Sequence, residues 1–275
     1  MREYIRSFFD NENIEYYAVL DYEKQREINP SIAQRVGFKP KSIILFLLPY
    51  YVSRPENISI YSSSLDYHIE IQRVTDALSE HLRVRFPEAS FRGFGDHSPI
   101  NEVYAAASAG LGVIGDNGLI INEKYGSYVF IADLLTDIDP GLLGEDLPKE
   151  VRGCLSCGRC KAACPTGILS GCSEKCLSEI TQRKGELSED DLELMVKFNT
   201  VWGCDLCQTS CPYNRSPKVT PIEFFHKDRI VRLDSSYVGS IGKDEFKNRA
   251  FAWRGKAPLL RNLEYYERRT DSDNE

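Results

Sequence analysis

Residues 1–153 and 212–275 of this 275-residue chain contain no cysteine, and all nine cysteines fall between them. A disulfide framework is spread over the fold it staples, so this crowding excludes a disulfide scaffold and points to cofactor ligation. Long apolar runs are equally scarce. The longest, residues 43–48, is far too short to span a bilayer and ends at Pro49. The N-terminus, Met1-Arg2-Glu3-Tyr4, lacks the basic and apolar regions of a secretory signal. The expectation is a cytoplasmic protein with no membrane association. Basic residues are outnumbered, 34 against 41 acidic, for a net charge of −7. A broad grip on a nucleic-acid backbone needs the opposite balance, which leaves only a local basic patch for such a role.

The hydrophobic fraction is 42%, enough for a buried core in one large domain or two modest ones. Helical and strand-like patterns alternate through the first half. Periodicity predicts a helix over 2–12, a strand over 16–20, a short helix over 32–36 and a buried strand over 42–48. Asp66 caps an amphipathic helix that runs to about residue 85 and stops at Pro87. A strand over 90–94 and an Ala-rich helix over 100–109 follow. Residues 119–122 and 128–135 read as paired strands around the turn Glu123-Lys124-Tyr125-Gly126. The class predicted is α/β with a mixed sheet. Residues 137–149, rich in Asp, Gly and Pro, read as a linker. Helical patterns around 245–252 and 256–267 precede a charged, frayed end. The division expected is an α/β domain over 1–140, a ferredoxin-like domain over 141–215 and a helical tail over 216–275.

The first cysteine run is Cys154-x2-Cys157-x2-Cys160-x3-Cys164-Pro165. This is the bacterial ferredoxin signature, in which three close thiolates hold one 4Fe–4S cubane and the fourth cysteine ligates another. Structural zinc sites take cysteines as separated pairs, so zinc fits poorly. The second run, Cys204-x2-Cys207-x3-Cys211-Pro212, lacks its first cysteine. Crossed ligation gives Cys154, Cys157, Cys160 and Cys211 to one cluster. Cys164, Cys204 and Cys207 go to the other, completed by Cys172 or Cys176. Two such clusters on a small domain relay electrons.

Other signals are weaker. Gly110-x-Gly112-x-x-Gly115 matches a dinucleotide fingerprint as a string, but a helix precedes it and a strand follows, so a helix cap and turn is the better reading. Asp96-His97-Ser98-Pro99 joins a strand to a helix and suits an N-cap or an acid at a strand end equally well. His81 and His226 read as packing or surface residues.

Several segments together resemble the epoxyqueuosine reductases, cobalamin-dependent enzymes of tRNA queuosine maturation. The resemblance runs through Pro40-Lys41-Ser42-Ile43-Ile44, Asp66-Tyr67-His68 and Asp96-x-x-Pro99. It continues in Ala109-Gly110-Leu111-Gly112-Val113-Ile114-Gly115-Asp116-Asn117, and in Gly126-Ser127-x-x-Phe130 with Leu135-Thr136. Both cysteine runs take part, with Lys175-Cys176-Leu177-Ser178-x-Ile180-Thr181 between them and Gly203-Cys204-Asp205 opening the second. Trp253-Arg254-Gly255 and Leu260-Arg261-Asn262 close it. The resemblance implies two 4Fe–4S clusters and a cobalamin lying between the first two domains, with electrons passing from clusters to cobalt to the epoxide. It implies that Asp96 is the catalytic acid, that Cys176 completes the second cluster, and that Cys172 is spare. Corrinoid contacts would fall on Ser62, Asp96, Ile120, Ile131, Ser178 and Asp205. The sequence departs from the family in a shortened segment over 28–37 and in lacking the C-terminal helical repeats that help many members hold tRNA.

The expected activity is therefore reduction of epoxyqueuosine to queuosine in tRNA, fed by a low-potential donor such as ferredoxin or flavodoxin. Asp96, as a buried carboxyl kept protonated by desolvation, would protonate the departing oxygen. Arg254, Lys256, Arg261, Arg268 and Arg269 are the expected phosphate contacts. The rivals are a corrinoid reductase acting on a free small molecule and a non-catalytic electron carrier or corrinoid reactivator.

Overall fold

The computed structural model describes residues 1–272. Its chain packs as two units, each built from separated segments. The first comprises Met1–Tyr50, His68–Ser156 and Pro217–Ile222; the second takes Tyr51–Tyr67, Cys157–Ser216 and the chain from Glu223 onward.

The first unit contains helix α1 (Arg2–Asn11), strand β1 (Tyr17–Asp21), helix α2 (Pro30–Ala33), strand β2 (Ser42–Pro49) and helix α3 (Tyr67–Arg83). Strand β3 (Phe91–Gly95), helix α4 (Glu102–Ser108), the short strands β4 (Val113–Ile114) and β5 (Ile120–Ile121), strand β6 (Val129–Thr136) and helix α5 (Pro140–Leu143) complete it. The main sheet has the order β1-β2-β6-β3. All eight residues of β2 are buried, as its apolar run predicts. Each buried Leu or Ile there contributes about 1.5–3 kcal/mol. Helix α3 turns Ile71, Val74, Leu78 and Leu82 inward at helical spacing. It packs closely because β3 offers two glycines. A Cβ on Gly93 would lie 2.4 Å from Thr75 Oγ1, and one on Gly95 would lie 2.4 Å from Ile71 Cδ1.

The α/β class holds, but two details differ from the sequence reading. Every neighbouring pair in the main sheet is antiparallel, so the sheet is not mixed. Alternation of helices and strands does not fix strand direction, and β6 inserts between β2 and β3, which are consecutive in the chain. Residues 119–122 also do not pair with β6. Strand β5 pairs with β4 instead, Val113 opposite Ile121 and Ile114 opposite Ile120. Both edges of β6 are already occupied by β2 and β3. Asn122 redirects the chain: its Nδ2 donates to the Leu111 carbonyl at 2.8 Å, and its Oδ1 accepts from the amides of Lys124 at 2.9 Å and Tyr125 at 3.1 Å.

The Asp, Gly and Pro content of residues 137–149 has a local use. Asp139 caps α5 through the Gly141 amide at 2.9 Å, Gly144 ends it in the left-handed region at φ 90°, and Leu143 is fully buried. The amides of Asp146 and Lys149 donate to the carbonyls of Val19 and Ser108. This stretch is fastened to the first unit.

The second unit is helical: α6 (Arg159–Ala162), α7 (Leu177–Gln182), α8 (Glu189–Lys197), α9 (Leu206–Thr209), α10 (Ser235–Ser240), α11 (Lys243–Lys247) and α12 (Lys256–Ser272). Its core gathers Met195, Trp202, Val238, Phe251, Leu259 and Leu263. Buried Asn262 of α12 donates to the carbonyls of Thr181 and Val201, each at 2.8 Å, which ties the tail helix to the cysteine-bearing segment. The sequence reading missed α8 and α10, although their caps were visible: Ser188 accepts from the Asp191 amide and Asp234 from the Tyr237 amide. Helix α12 runs beyond its expected end, and the part of the charged end past residue 272 lies outside the described residues. Among the described residues no helix is long and apolar enough to cross a membrane.

Candidate functional site

In the second unit, Cys176 and Cys207 of the expected second cluster lie near enough to Cys204 to act on its charge. Burial pushes the Cys204 thiol up to about 12, and crowding against Cys176, Cys207 and Asp205 adds to it. Thiols packed this way resist ionising together, and a bound cation relieves that repulsion. The donor set thus fits an iron–sulfur cluster. Cys172 is exposed, with its Sγ 3.9 Å from the Ser170 carbonyl, and it is not among the groups that crowd Cys204. Burial also acts on the Cys164 thiol, but amides of Leu169, Thr166 and Gly167 and the Thr166 hydroxyl outweigh it and lower the thiol's pKa. Cys157 is exposed, and Cys160 and Cys211 are half-buried. Among the described residues no three Cys, His, Asp or Glu side chains converge as they do around a single ion. In the first unit, Cys154 Sγ accepts from the Asp116 amide at 3.4 Å, and the Cys154 amide donates to the Ile114 carbonyl at 2.9 Å.

The loop that opens the second run is tightly set. Gly203 has φ 75°, and a Cβ there would fall 2.2 Å from Ser59 Oγ. Its amide donates to Thr181 Oγ1 at 2.9 Å. Asp205 Oδ2 accepts from the Ile60 amide at 2.6 Å, while its Oδ1 is shut off from solvent with no partner. Burial raises the Asp205 carboxyl to about 6, against the pull of the Ile60 amide and Arg54. Of the expected corrinoid contacts, Asp205 is thus the one with an unused buried acceptor. Ser62 is fully buried and spends its hydroxyl on the Ser59 carbonyl at 2.9 Å, and Ser178 Oγ accepts from Gln182 at 2.9 Å.

In the first unit, Ile120 is buried in β5 and Ile131 is half-buried in β6 opposite Leu47. Asp96 follows β3 at the rim of a cavity of about 420 Å³ lined by Arg35, His68, Arg92, Phe94 and His97 among others. Asp96 and His97 both sit in the left-handed region, at φ 57° and 46°. Such strain costs on the order of 1–3 kcal/mol per residue and concentrates at functional sites. Asp96 does not cap α4, because Asn101 does so through the Tyr104 amide at 3.0 Å. Nor is it a buried carboxyl: its side chain is 53% exposed, with His68 Nε2 3.6 Å away. The expectation of an acid desolvated within the resting fold fails here, because the turn aims Asp96 into the cavity rather than the core.

Two inward-turned carboxyls without a cationic partner were passed over by the sequence reading. Asp133 lies mid-strand in β6 with no exposed surface, and neither of its oxygens has a hydrogen-bond partner. Glu102 opens α4 with Oε1 sealed and unpartnered. Burial raises both carboxyls, and for Glu102 the neighbouring charges of Asp133 and Asp96 raise it further. A charged residue inside the apolar run of β6 was the sequence signal that could have revealed Asp133. The Gly110 segment is a cap and hairpin: Gly110 ends α4 at φ 77°, and β4 follows with no helix.

Most of the C-terminal basic cluster is internally engaged. Arg261 donates to the carbonyls of Arg183 and Gly185, Lys256 to the Ile241 carbonyl at 2.9 Å, and Arg269 pairs with Glu193 at 3.2 Å. Arg268 lies over the Tyr265 ring and Arg254 over the ring of exposed Trp253.

Comparison with known proteins places these features. The pattern of a 4Fe-4S double cluster binding domain matches residues 153–214, the segment that holds every cysteine. The chain is 36% identical over 212 residues to an epoxyqueuosine reductase of Lactococcus garvieae, covering 73% of this chain and 58% of that one. It is 33% identical over 226 residues to an epoxyqueuosine reductase of Cyclobacterium marinum, covering 77% and 69%. The chain thus spans less than two thirds of the Lactococcus protein. Its fold matches a crystal structure of epoxyqueuosine reductase with an epoxyqueuosine-modified tRNA-Tyr stem loop, at a TM-score of 0.75 and 23% identity over 96% of this chain and 80% of that one.

Proposed function

The chain belongs to the epoxyqueuosine reductase family, and we propose that it reduces epoxyqueuosine to queuosine in tRNA, in the cytoplasm, using two 4Fe–4S clusters and cobalamin. One observation carries this reading. The identity is not confined to the cysteine segment but runs over 77% of the chain in the Cyclobacterium relative. A plain electron carrier would need to share only the cluster ligands.

Converting an epoxide to an alkene and water takes two electrons and two protons. The cysteine domain supplies electrons one at a time from an external low-potential donor such as ferredoxin or flavodoxin. Its ligand sets are Cys154, Cys157, Cys160 and Cys211 for one cluster, and Cys164, Cys176, Cys204 and Cys207 for the other. A bound corrinoid supplies a cobalt centre able to take up two electrons and deliver them together. The orphaned Oδ1 of Asp205 is a fitting acceptor for one of the corrinoid's amide groups, beside the ligand Cys204. Ser62 and Ser178 support that loop rather than offering free hydroxyls, and Ile120 and Ile131 supply apolar surface. Asp96, on its strained turn, donates a proton to the epoxide oxygen, and substrate covering the cavity removes the water that now reaches it.

Arg254, stacked on exposed Trp253, is the best-placed phosphate contact of the C-terminal cluster, while Arg261 acts as an internal tie. The anaerobically reconstituted protein is expected to reduce an anticodon stem-loop bearing epoxyqueuosine, assayed by mass spectrometry of the nucleoside. Arg254→Glu should weaken stem-loop binding and lower the slope of log affinity against log salt by about 1. If the stem-loop is neither bound nor reduced at low salt with both cofactors loaded, the tRNA reading fails and a small-molecule corrinoid reductase takes its place.

A further inference from the structure

The reaction delivers both of its protons to one oxygen, yet Asp96 carries only one at a time. The structure holds a second source beside it. Asp133 on β6 and Glu102 in the first turn of α4 lie close enough for the charge of one to act on the other. Three of their oxygens, both of Asp133 and Oε1 of Glu102, are buried without a hydrogen-bond partner. In the β6 register Asp133 lies opposite Phe94 of β3 and Leu45 of β2, so the residues directly across from it offer no countercharge; the one cation of β3, Arg92, pairs two residues along with Leu135 and is exposed. Phe94 is followed, one residue on, by Gly95 and then Asp96. Glu102 feels the charges of both Asp133 and Asp96, which makes it the link between the buried carboxyl and the exposed one.

The other groups around the pair do not neutralise it. Tyr22 approaches Asp133, but its hydroxyl is bonded to Glu27 Oε2 at 3.0 Å, and burial together with Glu27 and Asp133 keeps it a neutral phenol. Ser98 reaches both carboxyls, its amide toward Glu102 and its hydroxyl toward Asp133, and each contact offsets the effect of burial only in part. His68 faces Asp96 from α3. Two carboxylates with no cation beside them cannot both ionise in such a place, so the pair retains a proton at neutral pH. Apolar residues of similar size would stabilise the strand more than an acid does. Retention of acids here suits a chemical task.

We propose that Glu102 and Asp133 form a buried proton store that recharges Asp96 between the two protonations of the departing oxygen. The inference rests on the proposed epoxide reduction. In the first transfer the Asp96 O–H bond breaks and an O–H bond forms on the epoxide oxygen. Asp96, now a carboxylate, then takes the proton of the Glu102 carboxyl: one O–H bond breaks, one forms, and no electrons move. Asp96 delivers this second proton, water leaves, and two protons from solvent restore Asp96 and the store. Glu102 and Asp133 act through Asp96 and are positioning residues, since they do not touch substrate.

The test uses the reconstituted full chain and the variants Glu102→Gln, Asp133→Asn and their double. Infrared spectra of the wild type should show the carbonyl stretch of a protonated carboxyl at neutral pH, absent from the double variant. Thermal melting reports the same proton independently. The folded pair holds a proton that the unfolded chain loses in the ordinary carboxylate range, so the folded state binds more protons above that range and stability falls as pH rises. Asp133→Asn should flatten that fall. In single turnover, the alkaline limb of the rate should start at lower pH in the variants, with losses of about tenfold per pH unit and unchanged stem-loop affinity. Glu102→Asp should restore part of the rate where Glu102→Gln does not. Loss of the infrared band without any change in the pH–rate profile would overturn the relay and leave a structural pair. A wild type that binds its cofactors but never reduces the stem-loop would overturn the functional reading and the relay with it.

Discussion

Asp96→Asn is expected to slow epoxide reduction by about a hundred- to ten-thousandfold, the usual contribution of a general acid. That range equals about 3–5 kcal/mol of barrier, at 1.36 kcal/mol for each tenfold change. The substitution isolates the proton. Asparagine tolerates the left-handed region at least as well as aspartate, so the turn at φ 57° keeps its shape. Alanine would confound the result by straining that turn. The asparagine amide can still donate a hydrogen bond but cannot surrender a proton to the oxygen. Cobalamin binding, followed by the shift of its absorption spectrum, and stem-loop binding should both survive. Single-turnover assays read the chemical step apart from substrate binding. A rate near that of the wild type would remove Asp96 from the mechanism and leave it as a turn residue.

Cys176→Ser should cut the iron content after anaerobic reconstitution from about eight to about four per chain, whereas Cys172→Ser should leave it at about eight. The two cysteines are close in sequence but differ in surroundings. Cys176 immediately precedes α7, whose Leu177 and Ile180 are buried, so its place beside Cys204 is fixed by the core. Cys172 sits on an exposed turn after Gly171, which has φ 74°. Serine keeps the size of the side chain but offers a hydroxyl that ionises far less readily than a thiol, so a cubane loses its fourth anchor. The measurement is iron per chain together with the electron paramagnetic resonance of the reduced protein. The reverse pattern would transfer the ligand role to Cys172.

The parts of the site that could be read from sequence are those set by local spacing. The cysteine runs declared their cofactor because three thiolates on one tight loop are a local device. The Gly110 segment read correctly as a cap and turn for the same reason. The tail was harder. Arg261 and Lys256 looked like a free basic patch, but both spend their donors on nearby carbonyls, and only the folded chain brings those carbonyls within reach.

By itself the sequence determined the cluster domain, the buried strand at 42–49, the amphipathic helix α3 and the turn that carries Asp96. Each follows from the identity and spacing of residues near one another in the chain. Tertiary structure decided what depends on distant residues meeting. Strand β6 lies between β2 and β3, so β5 had to pair with β4 and the sheet became antiparallel. The glycines of β3 let α3 approach and leave Asp96 facing a cavity instead of the core. The placement of β6 against α4 also brings Asp133 to Glu102, a pairing that no spacing in the sequence announces. Periodicity reports which face of an element is buried; which charge it is buried against is decided when the elements pack.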